Sequence, residues 1–262
     1  MSKRPVALIT GPTSGIGLHL AELLARDGYD LVLVARSTEV LARLTHDWTQ
    51  KYAIRVLPIS VDLSRSDAVE TVVTTTREHG MHLNVLVNNA GVGSYGMFVD
   101  TPLNHERTLL QLNVLALTEL TKSFLPDLRK SKGHILNVAS TAAFEPGPFM
   151  AVYYASKAYV LSFSEAIAEE LAPEGIQVTA LCPGLTRSGF QHAANMEHSG
   201  LLRLPGMDAQ EVAEAGYRAM CKGKRVVIPG IFNRLLVASV RFTPRRWITR
   251  IVAWLSQPKQ QG

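Results

Sequence analysis

The chain has 262 residues, 47% hydrophobic and 19% charged, which suits one large α/β domain with a substantial core. Two cysteines are too few for a disulfide framework or a cysteine-based zinc site. No apolar run reaches the roughly 18 residues of a membrane span, and no signal-peptide pattern opens the sequence, so a reducing cytoplasm is the expected setting. The net charge of +5 is uneven: residues 1–214 hold 17 Lys/Arg against 22 Asp/Glu, whereas residues 215–262 hold ten basic residues and no acid.

Apolar strand-like runs alternate with helical patterns along the chain. The predicted strands are Val6 to Thr10, Leu31 to Ala35, Arg55 to Val61, Val85 to Asn88, His134 to Ala139, Gln177 to Leu181 and Arg225 to Ile228. Helical periodicity marks Leu18 to Arg26, Ser66 to His79, Glu106 to Leu128, Ala155 to Leu171 and Ala209 to Cys221. Such alternation, with nearly continuous apolar strands, predicts a doubly wound seven-stranded parallel sheet covered by helices on both faces. Ligands of these folds sit beyond the carboxyl ends of the strands. The irregular stretch Pro183 to Pro205, after the sixth strand, therefore has the position of a substrate lid, taken as about residues 185–206.

Thr10 to Gly17, Thr-Gly-Pro-Thr-Ser-Gly-Ile-Gly, follows the first strand and opens the first helix. Its glycines permit a tight turn and bring backbone amides at a helix N-terminus against a pyrophosphate. Gly11, Thr13, Ser14, Gly15, Ile16 and Gly17 are thus the expected dinucleotide cradle. The second strand ends in Val34-Ala35-Arg36-Ser37, with an arginine where an NAD site carries an acid; a guanidinium matches a ribose 2′-phosphate, so NADP(H) is the expected cofactor. Two roles fit Asp62 equally, contact with the adenine ring and capping of the helix that follows. In Asn88-Asn89-Ala90-Gly91, at the end of the fourth strand, small residues let the backbone pass close to the cofactor.

Lys157 lies one helical turn after Tyr153, where an ammonium favours the phenolate form and lowers the phenol's pKa. Ser140 ends the fifth strand, positioned to hold a carbonyl oxygen beside that phenol. Tyr154, one residue along, points about 100° away around the helix and is expected to pack.

These residues resemble the short-chain dehydrogenase/reductase superfamily, in the branch of chains of about 250 residues, at five places: Thr10 to Gly17, Asn88 to Gly91, Asn113, the Ser140/Tyr153/Lys157 set, and Pro183-Gly184 with Thr186. The resemblance implies a single-domain Rossmann fold and a tetrad of Asn113, Ser140, Tyr153 and Lys157. In it the tyrosine donates the proton in reduction, the serine holds the carbonyl, the lysine binds the nicotinamide ribose, and the asparagine interrupts its helix to hold a relay water. It further implies that Pro183 and Gly184 line the nicotinamide, that Thr186 bonds its carboxamide, and that the protein is a homodimer or homotetramer built on the helices carrying Asn113 and Tyr153.

The loops Val92 to Phe98, Thr141 to Val152 and Leu185 to Leu204 supply Tyr95, Met97, Phe98, Phe144, Phe149, Met150, Phe190 and Met196, the walls expected for a small hydrophobic ketone, aldehyde or alcohol. The expected organisation is a catalytic and NADP-binding domain over residues 1–230, with residues 231–262 as a basic amphipathic C-terminal extension of the same domain. In the extension Pro244 separates two helical patterns, each with apolar residues among arginines. This suits a surface helix better than a nucleic-acid arm, and residues 231–255 fit either peripheral membrane contact or packing on the domain or a sister subunit. A catalytically silent NADP-binding regulator or scaffold, and the sugar epimerase or dehydratase branch of the same fold, are the alternative functions.

Overall fold

Every residue of β1 (Val6–Thr10) is buried, and its side chains divide between two cores: Val6 and Leu8 enter one cluster, Ala7 and Ile9 the other. That period of two is what a strand covered on both faces requires. The computed structural model describes residues 4–187, 189–194, 196 and 199–258; Ser188, Asn195, Glu197 and His198, within the predicted lid, lie outside them.

After β1 come α1 (Gly15–Arg26), β2 (Asp30–Ala35), α2 (Thr38–Tyr52), β3 (Val56–Ser60), α3 (Ala68–Glu78) and β4 (Val85–Asn88). The chain continues through α4 (Leu103–Leu110), a π-helical turn (Gln111–Ala116), α5 (Leu117–Ser131), β5 (His134–Val138), a 3₁₀ turn (Thr141–Phe144), α6 (Ala151–Leu171) and β6 (Gln177–Leu181). Short β7 (Thr186–Arg187), α7 (Phe190–Ala193) and β8 (Met207–Asp208) precede α8 (Ala209–Cys221), β9 (Val226–Val227), α9 (Ile231–Val240) and α10 (Arg245–Ser256).

The main sheet is parallel and seven-stranded, ordered β3-β2-β1-β4-β5-β6-β9. Residues of α3, α5 and α6 pack on one face through Val72, Phe124 and Ala168, and residues of α1, α2 and α8 pack on the other through Leu24, Leu41 and Val212. This is the expected single-domain Rossmann architecture. The strand order reverses direction between β1 and β4, which opens the crevice where such sheets take their ligands.

The predicted helix Glu106 to Leu128 is in fact α4 and α5 joined by the π-helical turn, and that turn carries Asn113. Periodicity cannot mark it, because one extra residue per turn leaves the apolar pattern intact on either side. β9 is two residues long where four were expected. The basic extension packs on the domain: Ile248 and Val252 of α10 pack with Met150, Tyr154 and Met196, and Tyr95 donates a 2.6 Å hydrogen bond to the Ser256 carbonyl.

Candidate active site

The glycine turn is held by the end of β4. Thr10 Oγ1 accepts hydrogen bonds from the Asn89 and Ala90 amides, each 3.0 Å, while Asn89 Nδ2 donates to the Thr10 and Gly11 carbonyls at 2.9 and 3.0 Å. Gly11 has φ +68° and Gly15 φ +54°, the left-handed region where glycine is favoured. Gly17 is required by space instead, since a Cβ there would lie 2.2 Å from the Gly11 carbonyl oxygen and 2.3 Å from Asn89 Nδ2. Gly17→Ala is therefore expected to destabilise the fold by about 1–3 kcal/mol, the usual cost of overpacking, measured by urea unfolding. Ser14, the N-cap of α1, makes no side-chain capping bond, so the first-turn amides of α1 are left for an anion.

A cavity of about 470 Å³ runs over this turn, within the usual size range of ligand sites. Gly11, Thr13, Ser14, Gly15, Ile16, Asn89, Arg36 and Asp62 line it, together with Ser140, Tyr153, Lys157, Pro183, Gly184 and Thr186. Of the predicted cofactor residues, Gly17 stands behind the wall. Arg36 is exposed at the end of β2. Asp62 accepts bonds from the Ser64 amide at 2.9 Å and the Ser64 hydroxyl at 2.7 Å, so it caps the turn before α3, which begins only at Ala68. Those bonds, followed by the attraction of Arg36, hold its carboxyl below its ordinary pKa. Thr186 donates to the Gly184 carbonyl at 3.0 Å.

Tyr153 stands on the first turn of α6, with its phenol close enough to Ser140 for the hydroxyl to pull its pKa down. The Ser140 hydroxyl also accepts from the Ala142 amide at 3.1 Å and approaches the Pro183 carbonyl at 3.4 Å. Lys157 is buried; its Nζ donates to the Val138 carbonyl at 2.8 Å and lies 5.8 Å from the Tyr153 ring centroid. Burial dominates both ionisations. It pushes the Tyr153 phenol up to about 12, against a smaller downward pull from Ser140, and the Lys157 ammonium down to about 8. The expected lowering of the phenol's pKa by the ammonium is thus not found: burial is the largest influence on the phenol, and Lys157 is not among the groups that shift it.

Asn113 does not reach the cavity. Its amide is clamped to Val92, accepting from the backbone N–H at 3.0 Å and donating to the carbonyl at 2.9 Å, with a further 3.1 Å bond to Ser156 Oγ. It lies behind Gly91, where a Cβ would come 3.2 Å from Asn113 Oδ1 and 3.5 Å from Lys157 Nζ. The π-helical turn brings Asn113 to this position, which agrees with the expected interruption of its helix.

Met150, Phe190 and Met196 line the cavity as expected, and Tyr153 packs against Phe190 with ring centroids 5.4 Å apart. Five of the predicted wall residues do not. Tyr95 stacks on Phe149, Phe144 at the end of the 3₁₀ turn packs against the cluster of Ala139, Val160 and Cys182, and Met97 and Phe98 are exposed; of the loop after β4 only the stretch up to Val92 lines the cavity. Tyr154 lines the wall as well as packing.

Sequence reasoning missed two wall features. Glu145, half-buried just past the 3₁₀ turn, has its carboxyl pushed up to about 7 by burial. Phe232, Asn233 and Leu236 of α9 also reach the cavity, and Gly184 must be glycine because Asn233 Oδ1 would lie 2.3 Å from a Cβ there. The signal for α9 was a lone asparagine on the inward stripe of an otherwise apolar and basic helix.

Residues 5–199 match the family described as short chain dehydrogenase. The chain is 35% identical over 182 residues to the very-long-chain 3-oxoacyl-CoA reductase of Rattus norvegicus, a match covering 68% of this chain and 58% of that protein; it thus spans less than two thirds of that relative's length. Among solved structures, a short-chain dehydrogenase from Sphingobium yanoikuyae in complex with NADPH superimposes with a TM-score of 0.82 at 32% identity, covering 98% of both chains. The bulky-bulky ketone specific alcohol dehydrogenase from Comamonas testosteroni does so with a TM-score of 0.76 at 32% identity, covering 91% of this chain and 93% of that one. With the family's motif residues gathered on one cavity of the family's fold, the chain belongs to the short-chain dehydrogenase/reductase superfamily.

Proposed function

We propose that the protein is an NADPH-dependent reductase of hydrophobic ketones or aldehydes, and their dehydrogenase in reverse. The observation that carries this reading is the convergence of Ser140, Tyr153 and Lys157 on one cavity whose opposite end holds Arg36 and whose remaining wall is largely apolar. The names of the relatives, one for 3-oxoacyl-CoA and one for bulky ketones, point the same way. NADPH, when bound, supplies the hydride for the carbonyl carbon.

The chain's residues do the rest. The Thr10 to Gly17 turn and the first amides of α1 hold the pyrophosphate, with Asn89 keeping the turn in shape. Arg36 faces the 2′-phosphate, and Asp62, while capping its turn, borders the adenine. Pro183, Gly184 and Thr186 hold the nicotinamide end. Ser140 donates to the substrate carbonyl, and Tyr153, protonated at neutral pH, delivers its proton to the developing alkoxide. Lys157 engages the ribose and re-protonates the site through the region of Asn113. The segment 185–206 closes over the substrate, with residues 1–230 as the catalytic unit and 231–262 completing its wall.

The assembly we infer is a homodimer or homotetramer through α4, α5 and α6, where Leu110, Leu115 and Tyr159 are exposed and Tyr159 stacks on Phe163. Cys182 and Cys221 are free thiols, in keeping with a reducing cytoplasm.

Loss of NADPH absorbance in a screen of hydrophobic ketones tests the reading; a chain that binds NADPH but turns over no ketone or alcohol would instead be a silent regulator. Arg36→Asp is expected to weaken NADPH binding about 10- to 100-fold, the worth of a charge-assisted contact, while NADH binding holds or improves. Titration of both cofactors checks this, and an unaltered ratio would leave Arg36 a surface residue.

A further inference from the structure

Helices α9 and α10 each turn a second apolar stripe away from the domain. Asn233 and Val237 of α9 are buried, yet Ile231 and Leu235 are 75% and 66% exposed, and Phe242 in the joining turn is 89% exposed. In α10, Ile248 and Val252 face the core, whereas Trp247, Ile251 and Trp254 follow one another at i, i+4 and i+7 on an outer stripe, with Trp254 71% exposed. Exposed apolar side chains in such number on consecutive helices mark an interaction surface.

The charge on these helices selects the partner. Arg234, Arg241, Arg245, Arg246 and Arg250 are all exposed, and among the described residues none is paired with a carboxylate. Arg250 lies 5.7 Å from the Trp247 ring centroid, so cation and aromatic sit side by side as they do at a lipid interface. No Asp or Glu occurs after residue 214. A two-fold contact between copies would set this arginine cluster against itself, whereas anionic headgroups neutralise it while the tryptophans and aliphatics enter the acyl boundary.

The surface also adjoins the cavity. Phe232 and Leu236 line it from α9, and Phe232 is about half exposed, so α9 forms part of the rim. We propose that α9 and α10 dock the protein on an anionic lipid surface and open the cavity beside it, so that lipophilic substrate enters from the bilayer. The docking stands by itself; the route of entry rests on the reduction of hydrophobic carbonyls proposed above.

The experiment uses the full chain with vesicles of phosphatidylcholine alone or mixed equally with phosphatidylglycerol. Flotation is expected to recover the protein with the anionic vesicles only. Arg245→Gln, Arg246→Gln and Arg250→Gln combined should weaken that binding on the order of 100-fold, from about 1 kcal/mol per basic residue near the surface; Trp247→Ser with Trp254→Ser should abolish it. NADPH-dependent reduction of a long-chain ketone carried in the vesicles should fall in the arginine variant, while reduction of a water-soluble ketone stays equal to the parent's. Absence of flotation, or flotation unaffected by either set of substitutions, overturns the docking. A fall in oligomer mass in the variants without any vesicle binding also overturns it and assigns the face to a second copy. If no ketone is reduced at all, the catalytic reading fails while flotation still reports the docking; if reduction of the vesicle-borne ketone does not fall in the arginine variant although its flotation does, the entry route fails.

Discussion

Tyr153→Phe is expected to lower the rate of carbonyl reduction on the order of a thousandfold, within the range for removing a positioned general acid, while NADPH affinity changes by less than about threefold. The ring stays: it packs against Phe190 at 5.4 Å and Tyr154 at 6.1 Å between centroids, and phenylalanine keeps those contacts. What is lost is one hydroxyl, the group beside Ser140 on the cavity wall. Because burial holds that phenol up at about 12, it is protonated throughout the neutral range and needs no activation to donate. The partner control is Tyr154→Phe, whose phenol is also pushed up by burial but sits with its ring under Gly147; activity there should remain within a fewfold of the parent. Single-turnover reduction with NADPH in excess separates the outcomes, and a Tyr153→Phe protein that still turns over at the parent's rate would end the proton-donor assignment. Ser140→Ala should cost about 10²-fold in kcat, the lower end for losing one donor to a developing oxyanion.

The sheet was legible because both-face burial leaves nearly unbroken apolar runs, and the order of the glycine turn, Asn89, Ser140 and Pro183-Gly184 after successive strands places all of them at one end of the crevice. Two things resisted reading. At Tyr153 the spacing reports how near a cation is but not how much water burial removes, and burial is the largest influence on the phenol. The other is the return of α9: Asn233 fills the space against Gly184, a contact between residues some fifty positions apart that no local pattern records. Glu145 belongs to the same class, because a carboxyl in an apolar loop looks solvated until the fold closes over it.

Lys157→Met is expected to abolish reduction and yet raise the melting temperature of the cofactor-free protein. The lysine is 6% exposed and has one hydrogen-bond partner, the Val138 carbonyl at 2.8 Å. Burial lowers its pKa from 10.5 to about 8, which at about 1.4 kcal/mol per pH unit means the fold carries a penalty of about 3 kcal/mol for keeping the ammonium dry. Below pH 8 the lysine is charged in both folded and unfolded chains, so the penalty is complete. Between about 8 and 10.5 the unfolded chain binds more protons than the folded one, and stability rises with pH until the penalty is gone. Methionine matches the stem without the charge, and against the gain stands the Val138 carbonyl left unpaired, a loss of about 1 kcal/mol or somewhat more. The balance favours the variant by about 1–2 kcal/mol, a rise of a few degrees in a domain of this size, and that rise should fade above pH 10. In the parent, reduction should decline as pH climbs through about 8, where Lys157 loses its proton while Tyr153 keeps its own. Calorimetry across pH tests the stability half and NADPH consumption the catalytic half; a variant less stable than the parent at pH 7 would mean that the bond to Val138 outweighs the cost of burial.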